Sequence, residues 1–350
     1  MQQLAAPAVP DTLTESFDRL CSKAAGPVCV AVSGGGDSLA LMVLAAHWAE
    51  RRGRTILSFT VDHRLRPEAA DEARHVAAIA RQLGIAHETL AWADPKPRQA
   101  AARAARHGLL AAAAAKAGSR LVLTAHTEDD QAETFLMRAR AGSGWYGLAG
   151  IQPLAMTPAT GAGSDVLLAR PLLDVRRDAL RQVLTAVGIR WIEDPSNDDA
   201  RFERVRMRAL LAAEPALRSH VLACQKGLQA LRTLEDRALG RWLAASVRAE
   251  GGRISIVGGL PDGERGVRAL SLLVQLAAMH ARPPRADAAA RLARRLAAPR
   301  PFRAATLGGA IISVKDGIIH LRAEQVPDLP VVNAIPARLA AIGTVCSGDP

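Results

Sequence analysis

The chain has 350 residues, 49% hydrophobic and 23% charged, which excludes a disordered polyelectrolyte, a collagen-like repeat and a disulfide scaffold and suggests two domains. Its 45 Lys and Arg against 34 Asp and Glu give a net charge of +11. Such a charge suits a phosphate-bearing partner, although an arginine-rich surface without one would look the same. Four scattered cysteines, Cys21, Cys29, Cys224 and Cys346, form no C-x-x-C, so neither a cysteine zinc site nor an iron–sulfur cluster is expected and the usage fits a reducing compartment. No apolar run approaches the roughly 20 residues of a membrane span, and the N-terminus lacks the basic start and apolar core of a signal peptide. The expectation is a cytoplasmic protein with no membrane partner.

Residues 1–24 read as an N-terminal extension with a helix. Residues 27–32 (PVCVAV) form a short strand that runs into SGGGDS, followed by helical spacing over 39–52. A second strand, 55–61, ends at Asp62-His63; a helix over 68–83 stops at Gly84; and 85–90 is a third strand. The alanine-rich segment 99–116 is helical, 120–124 (RLVLT) is a fourth strand and 128–140 is helical again. This alternation predicts an α/β domain over 25–212, a parallel sheet with helices on both faces, whose ligands sit beyond the carboxyl ends of the strands. From 213 to 325 the pattern predicts a smaller, mainly helical domain. Gly251-Gly252 breaks it, helices resume over 264–281 and 285–296, and a β-hairpin turns at Asp316-Gly317. Residues 326–350 are expected to be a loosely ordered tail.

The strongest local motif is Ser33-Gly34-Gly35-Gly36-Asp37-Ser38, between a strand and a helix. Glycines let backbone N–H groups approach an anion, the helix N-terminus adds a favourable dipole, and the two serines add hydroxyls. Asp37 is out of place beside phosphate unless it helps to hold a cation, for which Mg²⁺ is suited. A capped glycine turn without a ligand is the plainer alternative. The segment 126–133 (HTEDDQAE) crowds Asp129, Asp130 and Glu133 at i,i+3 and i,i+4 spacing. Mg²⁺ or a substrate ammonium would compensate these acids, or the segment is a solvated first helical turn stabilised by the dipole. Arg103 and Arg106 share a helix with no acid between residues 96 and 120, either as a solvated basic face or as a contact to phosphate. Among Arg201, Arg204, Arg206 and Arg208, the i,i+4 pair Arg204 and Arg208 can share one face. Asp62 and His63 are expected to border the nucleotide without doing chemistry. Trp145 and Tyr146 either border a base or pack. With five Phe, five Trp and one Tyr, no extended base-stacking platform is apparent. Arg291, Arg294 and Arg295 fit one helix face as a contact to an RNA backbone, or are merely exposed.

The loop resembles the SGGxDS loop of the N-type ATP pyrophosphatases, the PP-loop superfamily. Further segments narrow the resemblance: VDHRLR at 61–66, ARAARHGL at 102–109, AHTEDDQAET at 125–134, RPLL at 170–173 and EDPSN at 193–197, the last followed by the arginines to Arg208. These resemble, in order, the motifs of the tRNA(Ile)-lysidine synthases over about residues 27–210; His107 replaces a usual Tyr and Val205 a usual Asn. The resemblance implies an adenine nucleotide alpha hydrolase-like, Rossmann-like catalytic domain and a C-terminal tRNA-binding domain. It implies a ligase that adenylates the wobble cytidine of a CAU-anticodon tRNA(Ile) with ATP, releases pyrophosphate, then joins lysine to C2 and releases AMP. Codon reading then changes from AUG to AUA, and charging from methionine to isoleucine. On this reading Asp37, Arg106, Arg204, Asp130 and Glu133 are catalytic, and residues 33–38 with Asp62 and His63 hold ATP. Asp130 and Glu133 take the L-lysine ammonium, Asp37 and Asp129 take Mg²⁺, and Arg103, Arg208, Arg291, Arg294 and Arg295 take tRNA. Oligomeric state is left open, with a homodimer one option. A cytidine thiolase is disfavoured by the missing C-x-x-C, an amidotransferase by the missing N-terminal Cys nucleophile, and a relict RNA-binding protein by the intact acids.

Overall fold

The computed structural model describes residues 11–21, 24–64, 68–96, 98–159, 163–193, 199–279, 283–298, 301–325 and 334–347. The chain divides into two compact units, the first made of residues 1–157 and 166–232, the second chiefly of residues 233–349. The division falls within a long helix, beyond the change of pattern at 212–213.

In the first unit, strands β1 (Val28–Ala31), β2 (Ile56–Asp62), β3 (Ala86–Ala91), β4 (Leu121–Leu123), β5 (Leu154–Met156) and β6 (Leu167–Ala169) form one sheet in the order β3-β2-β1-β4-β6-β5. All pairs are parallel except β5 with β6. Strands β5 and β6 are only three residues each, too short for a periodicity to show in the sequence. The helices are α1 (Asp11–Cys21), α2 (Gly36–Arg52), α3 (Ala69–Gln82), α4 (Gln99–Lys116), α5 (Glu128–Arg140), α6 (Trp145–Leu148), α7 (Arg177–Ala186), α8 (Glu203–Ala213) and α9 (Pro215–Ser246), the last continuing into the second unit. Helix α2 follows the central strand, and its residues from Ser38 to Ala45 are buried without a break. Leu39, Leu41, Met42 and Leu44 are at most 1% exposed, and each such side chain contributes about 1.5–3 kcal/mol by burial. The start of α2 is therefore rigidly placed. Strand β1 lies between β2 and β4, so chain order reverses there and a crevice opens at the carboxyl ends of β1 and β4.

The second unit contains more sheet than the single hairpin expected. Strands β7 (Val247–Glu250), β8 (Arg253–Ile256), β9 (Ala305–Leu307), β10 (Ala310–Lys315) and β11 (Ile318–Ala323) form an antiparallel sheet in the order β7-β8-β11-β10-β9. Gly251 and Gly252, both at positive φ, form a two-residue hairpin turn rather than a break between helices. Asp316 and Gly317 turn the expected hairpin in the same way. Helices α10 (Gly263–Ala277), α11 (Ala286–Ala297) and α12 (Ile335–Ser347) complete the unit. Helix α12 lies in the segment expected to be a loose tail; its Ile335, Ile342 and Cys346 are buried, which gives it a reason to order. No helix among the described residues is long and apolar enough to cross a membrane.

Candidate active site

The loop at 33–38 joins β1 to α2. The Ser33 N–H donates to Ser38 Oγ at 3.1 Å, and Ser38 Oγ donates to the Gly35 carbonyl at 2.9 Å. This closes the loop on itself. The N–H groups of Gly34, Gly35, Gly36 and Asp37 make no backbone hydrogen bond among the described residues, so the cradle that an anion needs is in place. Gly34 has φ +87°, and a Cβ there would stand 2.8 Å from Ile192 Cδ1. The Ile192 N–H donates to the Gly34 carbonyl at 3.0 Å, and Trp191 lies against Gly36. The segment after α7 thus braces the loop, a role that no local pattern in the sequence announces.

Across the crevice α5 begins with a capping box. Thr127 is fully buried; its N–H donates to Asp130 Oδ2 at 2.9 Å, and its Oγ1 accepts from the Asp130 N–H at 3.3 Å. One oxygen of Asp130 is thus used to start the helix, and Oδ1 is left to Arg177 and Arg204. The crowded acids are compensated by arginines. Arg177 Nε donates to Asp37 Oδ2 at 3.0 Å, and its terminal nitrogens lie 3.5 Å from Asp130 Oδ1 and 3.6 Å from Glu133 Oε1. Arg204 reaches Asp130 at 3.7 Å and Glu133 Oε2 at 3.4 Å, while Arg208 Nε donates to Glu133 Oε1 at 2.8 Å. Glu133 is 1% exposed, and its Oε2 has no hydrogen bond. The i,i+4 spacing of Arg204 and Arg208 puts both on the face of α8 that meets the α5 acids, and Arg208, expected as an RNA contact, donates to Glu133 here. Sequence reasoning misses Arg177 and Arg218; the excess of acid at 128–133 is the signal that cations from elsewhere in the chain have to be found.

Asp129 is used differently from the metal contact expected. Its Oδ2 accepts the Arg177 N–H at 2.8 Å and its Oδ1 accepts from Arg218 at 2.9 Å, while Arg218 also donates to Glu128. Burial pushes the Asp129 carboxyl up, but these hydrogen bonds outweigh burial and leave it below its ordinary value. With both oxygens engaged, Asp129 does not fit a metal ligand. Asp37 does fit: its Oδ1 accepts nothing among the described residues, and one carboxylate with phosphate oxygens is an ordinary Mg²⁺ donor set. Burial raises the Asp37 carboxyl, and Arg177 opposes that rise without cancelling it. No cluster of three metal-ligating side chains occurs among the described residues.

A second group is mainly basic, although Asp130 acts on its His126 against the arginines. His107, 8% exposed, is pushed down to about 4 by burial and by Arg103, Arg106 and Arg170. His126 is lowered by burial and then by Arg170, and donates or accepts at Thr124 Oγ1 across 3.1 Å. Arg170, directly after β6, donates to the Gln152 carbonyl at 2.8 Å, but its buried Nε has no partner; burial and Arg103 lower it to about 10. Burial and Arg103 also lower Arg106. Neither Arg103 nor Arg106 has an acidic partner among the described residues. His63 lies near this group, lowered by burial and then by Arg106, with its ring edge against Trp92. Asp62 Oδ1 accepts from the Arg64 N–H at 2.8 Å and so shapes the turn after β2. Tyr146 carries the Arg232 guanidinium over its ring at 4.2 Å, which favours packing over base contact. In the second unit Arg291, Arg294 and Arg295 are exposed on α11; Arg291 pairs with Asp287 at 2.8 Å and Arg295 lies over Phe302. The expected motif residues Leu65, Arg66 and 194–197, with Arg282 and Arg300, lie outside the described residues.

A glycine loop at the switch point of a parallel sheet, facing a paired acid helix, defines a PP-loop nucleotide-binding protein. The family model of the PP-loop domain matches residues 9–214. A U34-tRNA thiolase from Methanococcus maripaludis has a similar fold: TM-score 0.50, 14% identity, covering 63% of this chain and 78% of that one. Sequence similarity carries the assignment further. The chain is 49% identical over 326 residues to a tRNA(Ile)-lysidine synthase of Hyphomonas neptunium, covering 93% of this chain and 88% of that one. It is 40% identical over 344 residues to one of Methylobacterium nodulans, covering 93% and 98%. The chain belongs to the tRNA(Ile)-lysidine synthase family and is a ligase that forms a carbon–nitrogen bond.

Proposed function

We propose that the protein uses ATP to join L-lysine to C2 of the wobble cytidine in a tRNA(Ile) with a CAU anticodon, by way of adenylated tRNA. The observation that carries this reading is the placement of an anion cradle at 33–38 opposite Asp130 and Glu133, joined through Arg177. The N–H groups of the loop and the hydroxyls of Ser33 and Ser38 hold phosphate oxygens. Asp37 would hold Mg²⁺ together with phosphate oxygens, and the ion would supply charge neutralisation at the phosphates. The cytidine O2 attacks the α-phosphorus while Arg106 and Arg204 stabilise the added negative charge. The lysine ammonium is held by Asp130 Oδ1 and Glu133 and passes a proton to one of these carboxylates; its amine then forms a bond to C2 as the C2–O bond to AMP breaks and AMP leaves. Asp62 and His63 border the nucleotide. Arg103 and the exposed Arg291, Arg294 and Arg295 contact tRNA phosphates. Conversion of cytidine to lysidine changes codon reading from AUG to AUA and charging from methionine to isoleucine. The enzyme acts in the cytoplasm.

The test combines the purified chain, ATP, Mg²⁺, labelled lysine and tRNA(Ile) with a CAU anticodon. Label entering the RNA at the wobble position is the expected result. Pyrophosphate release with no lysine in the RNA would point to a different acceptor for the adenylate.

A further inference from the structure

In the carboxylate cluster three acids, Asp37, Asp130 and Glu133, meet three guanidinium groups, Arg177, Arg204 and Arg208. Formal charge is balanced. An ammonium that joins this cluster adds a positive charge, and one arginine has to give way. The three are not equally held. Arg177 has 16% of its side chain exposed, against 44% for Arg204 and 35% for Arg208. Its backbone N–H is fixed by Asp129 and its Nε by Asp37. Arg177 is also the first residue of α7, a helix packed on α2. Arg204, in contrast, makes no hydrogen bond to either acid, only ion pairs at 3.4 and 3.7 Å.

We propose that Arg177 is a positioning residue that stays in place while Arg204, held only by ion pairs, yields to the substrate ammonium. It ties the phosphate loop, through Asp37, to the acid pair, and its charge sets an upper limit on how tightly that pair holds an amine. Two features support the division of labour. The Arg177 guanidinium spans acids on two elements, Asp37 on α2 and Asp130 and Glu133 on α5, through three separate nitrogens. Its removal leaves three acids, of which Asp130 and Glu133 are buried, facing one another with two half-exposed partners. Arg204, nearer solvent, can turn to a phosphate when one arrives and leave its side of Asp130 Oδ1 and Glu133 Oε2 open. The inference rests on the reading of Asp130 and Glu133 as the amine site.

The experiment is steady-state lysidine formation by the full chain, with lysine varied at saturating ATP and tRNA. In R177Q, kcat falls because Asp37 loses its anchor, while the lysine KM falls by about threefold or more as a like charge leaves the amine site. R177K, which restores one positive charge beside Asp37, returns KM toward that of the unaltered protein. A merely weakened fold would lower kcat and leave KM where it was, so an unchanged or raised lysine KM in R177Q overturns the proposal. R177M, which keeps the methylene stem but no charge, carries the same test should R177Q not fold. Failure of the unaltered protein to incorporate lysine would refute the amine-site reading itself; lysine incorporation with an unmoved KM in both variants would refute only the role of Arg177.

Discussion

Around Glu133 three arginines converge on acids; around His107 three arginines gather with no acid among the described residues that they engage. Both groups stand in the same α/β unit, and both are partly dehydrated, so the cost of a stray charge is high in each. The acidic group has its counter-ions built in. The basic group lowers its own charge instead: His107 and His126 stay neutral, and Arg170 and Arg106 hold their protons less firmly than usual. A site whose charges are already paired can exchange one cation for another at little cost. A site whose positive charges are unpaired gains most from an anion. The contrast agrees with the proposed use of the first group for an amine and of the second for phosphate.

The contrast breaks most sharply at Asp37, where the two chemistries meet. Asp37→Ala should reduce pyrophosphate release by roughly 100-fold or more, because charge neutralisation at the reacting phosphate disappears. The melting temperature should change little, since the side chain sits on a partly exposed loop. Near-normal release would remove Asp37 from the chemistry.

Glu133→Gln tests the acidic group alone. A charge-assisted hydrogen bond is worth about 1.5–3 kcal/mol, so the apparent lysine affinity should fall on the order of tenfold or more, with ATP binding much less affected. An unaltered lysine dependence would mean that the acid pair serves the arginines only.

The basic group makes a prediction in pH. His107 has an ordinary value of 6.5 and is held at about 4 in the folded chain. Below pH 6.5 the unfolded chain takes up the proton first, so stability declines as pH falls toward 4 and levels off below it. The decline attributable to this residue is on the order of 3 kcal/mol. His107→Phe should flatten the fall in melting temperature between pH 6.5 and 4, and an equally steep fall in the variant would show that the imidazole is not what titrates.

A third set of cations marks the other extreme. Arg291, Arg294 and Arg295 are exposed, and Arg291 already has Asp287. Replacing all three with Gln should weaken binding of any tRNA and reduce the log–log salt slope by roughly 0.7–0.9 for each phosphate that is no longer neutralised. Because Arg291 must first leave Asp287, the total should fall short of three full phosphates. ATP and lysine affinities should not move; an unchanged salt slope would leave these arginines without a role in RNA binding.

Much of this is legible in the chain. The loop at 33–38 and the acids at 129–133 stand out because their chemistry is local: glycines beside serines, acids at helical spacing. Strands β1 to β4 and helices α4 and α5 follow from periodicity. Arg177 is not legible, because its meaning comes from Asp37 and Glu133, which are far away along the chain. By its type Asp129 reads as a metal ligand, whereas its partners, Arg177 and Arg218, make it a clip between helix starts. Likewise β5 to β8 are short, and β7 and β8 flank a glycine pair that serves equally as a break or a turn. Pairing partners distant in sequence decide between those uses, and local pattern does not carry them.

The most direct measurement is pyrophosphate release driven by two transcripts of tRNA(Ile) that differ only at the wobble base, one with C and one with U, in the presence of ATP and Mg²⁺ and without lysine. Release should depend on the C-bearing transcript and be absent with U, since the proposed reaction begins at a wobble cytidine. Equal release with both transcripts, or release with no RNA at all, would contradict that assignment.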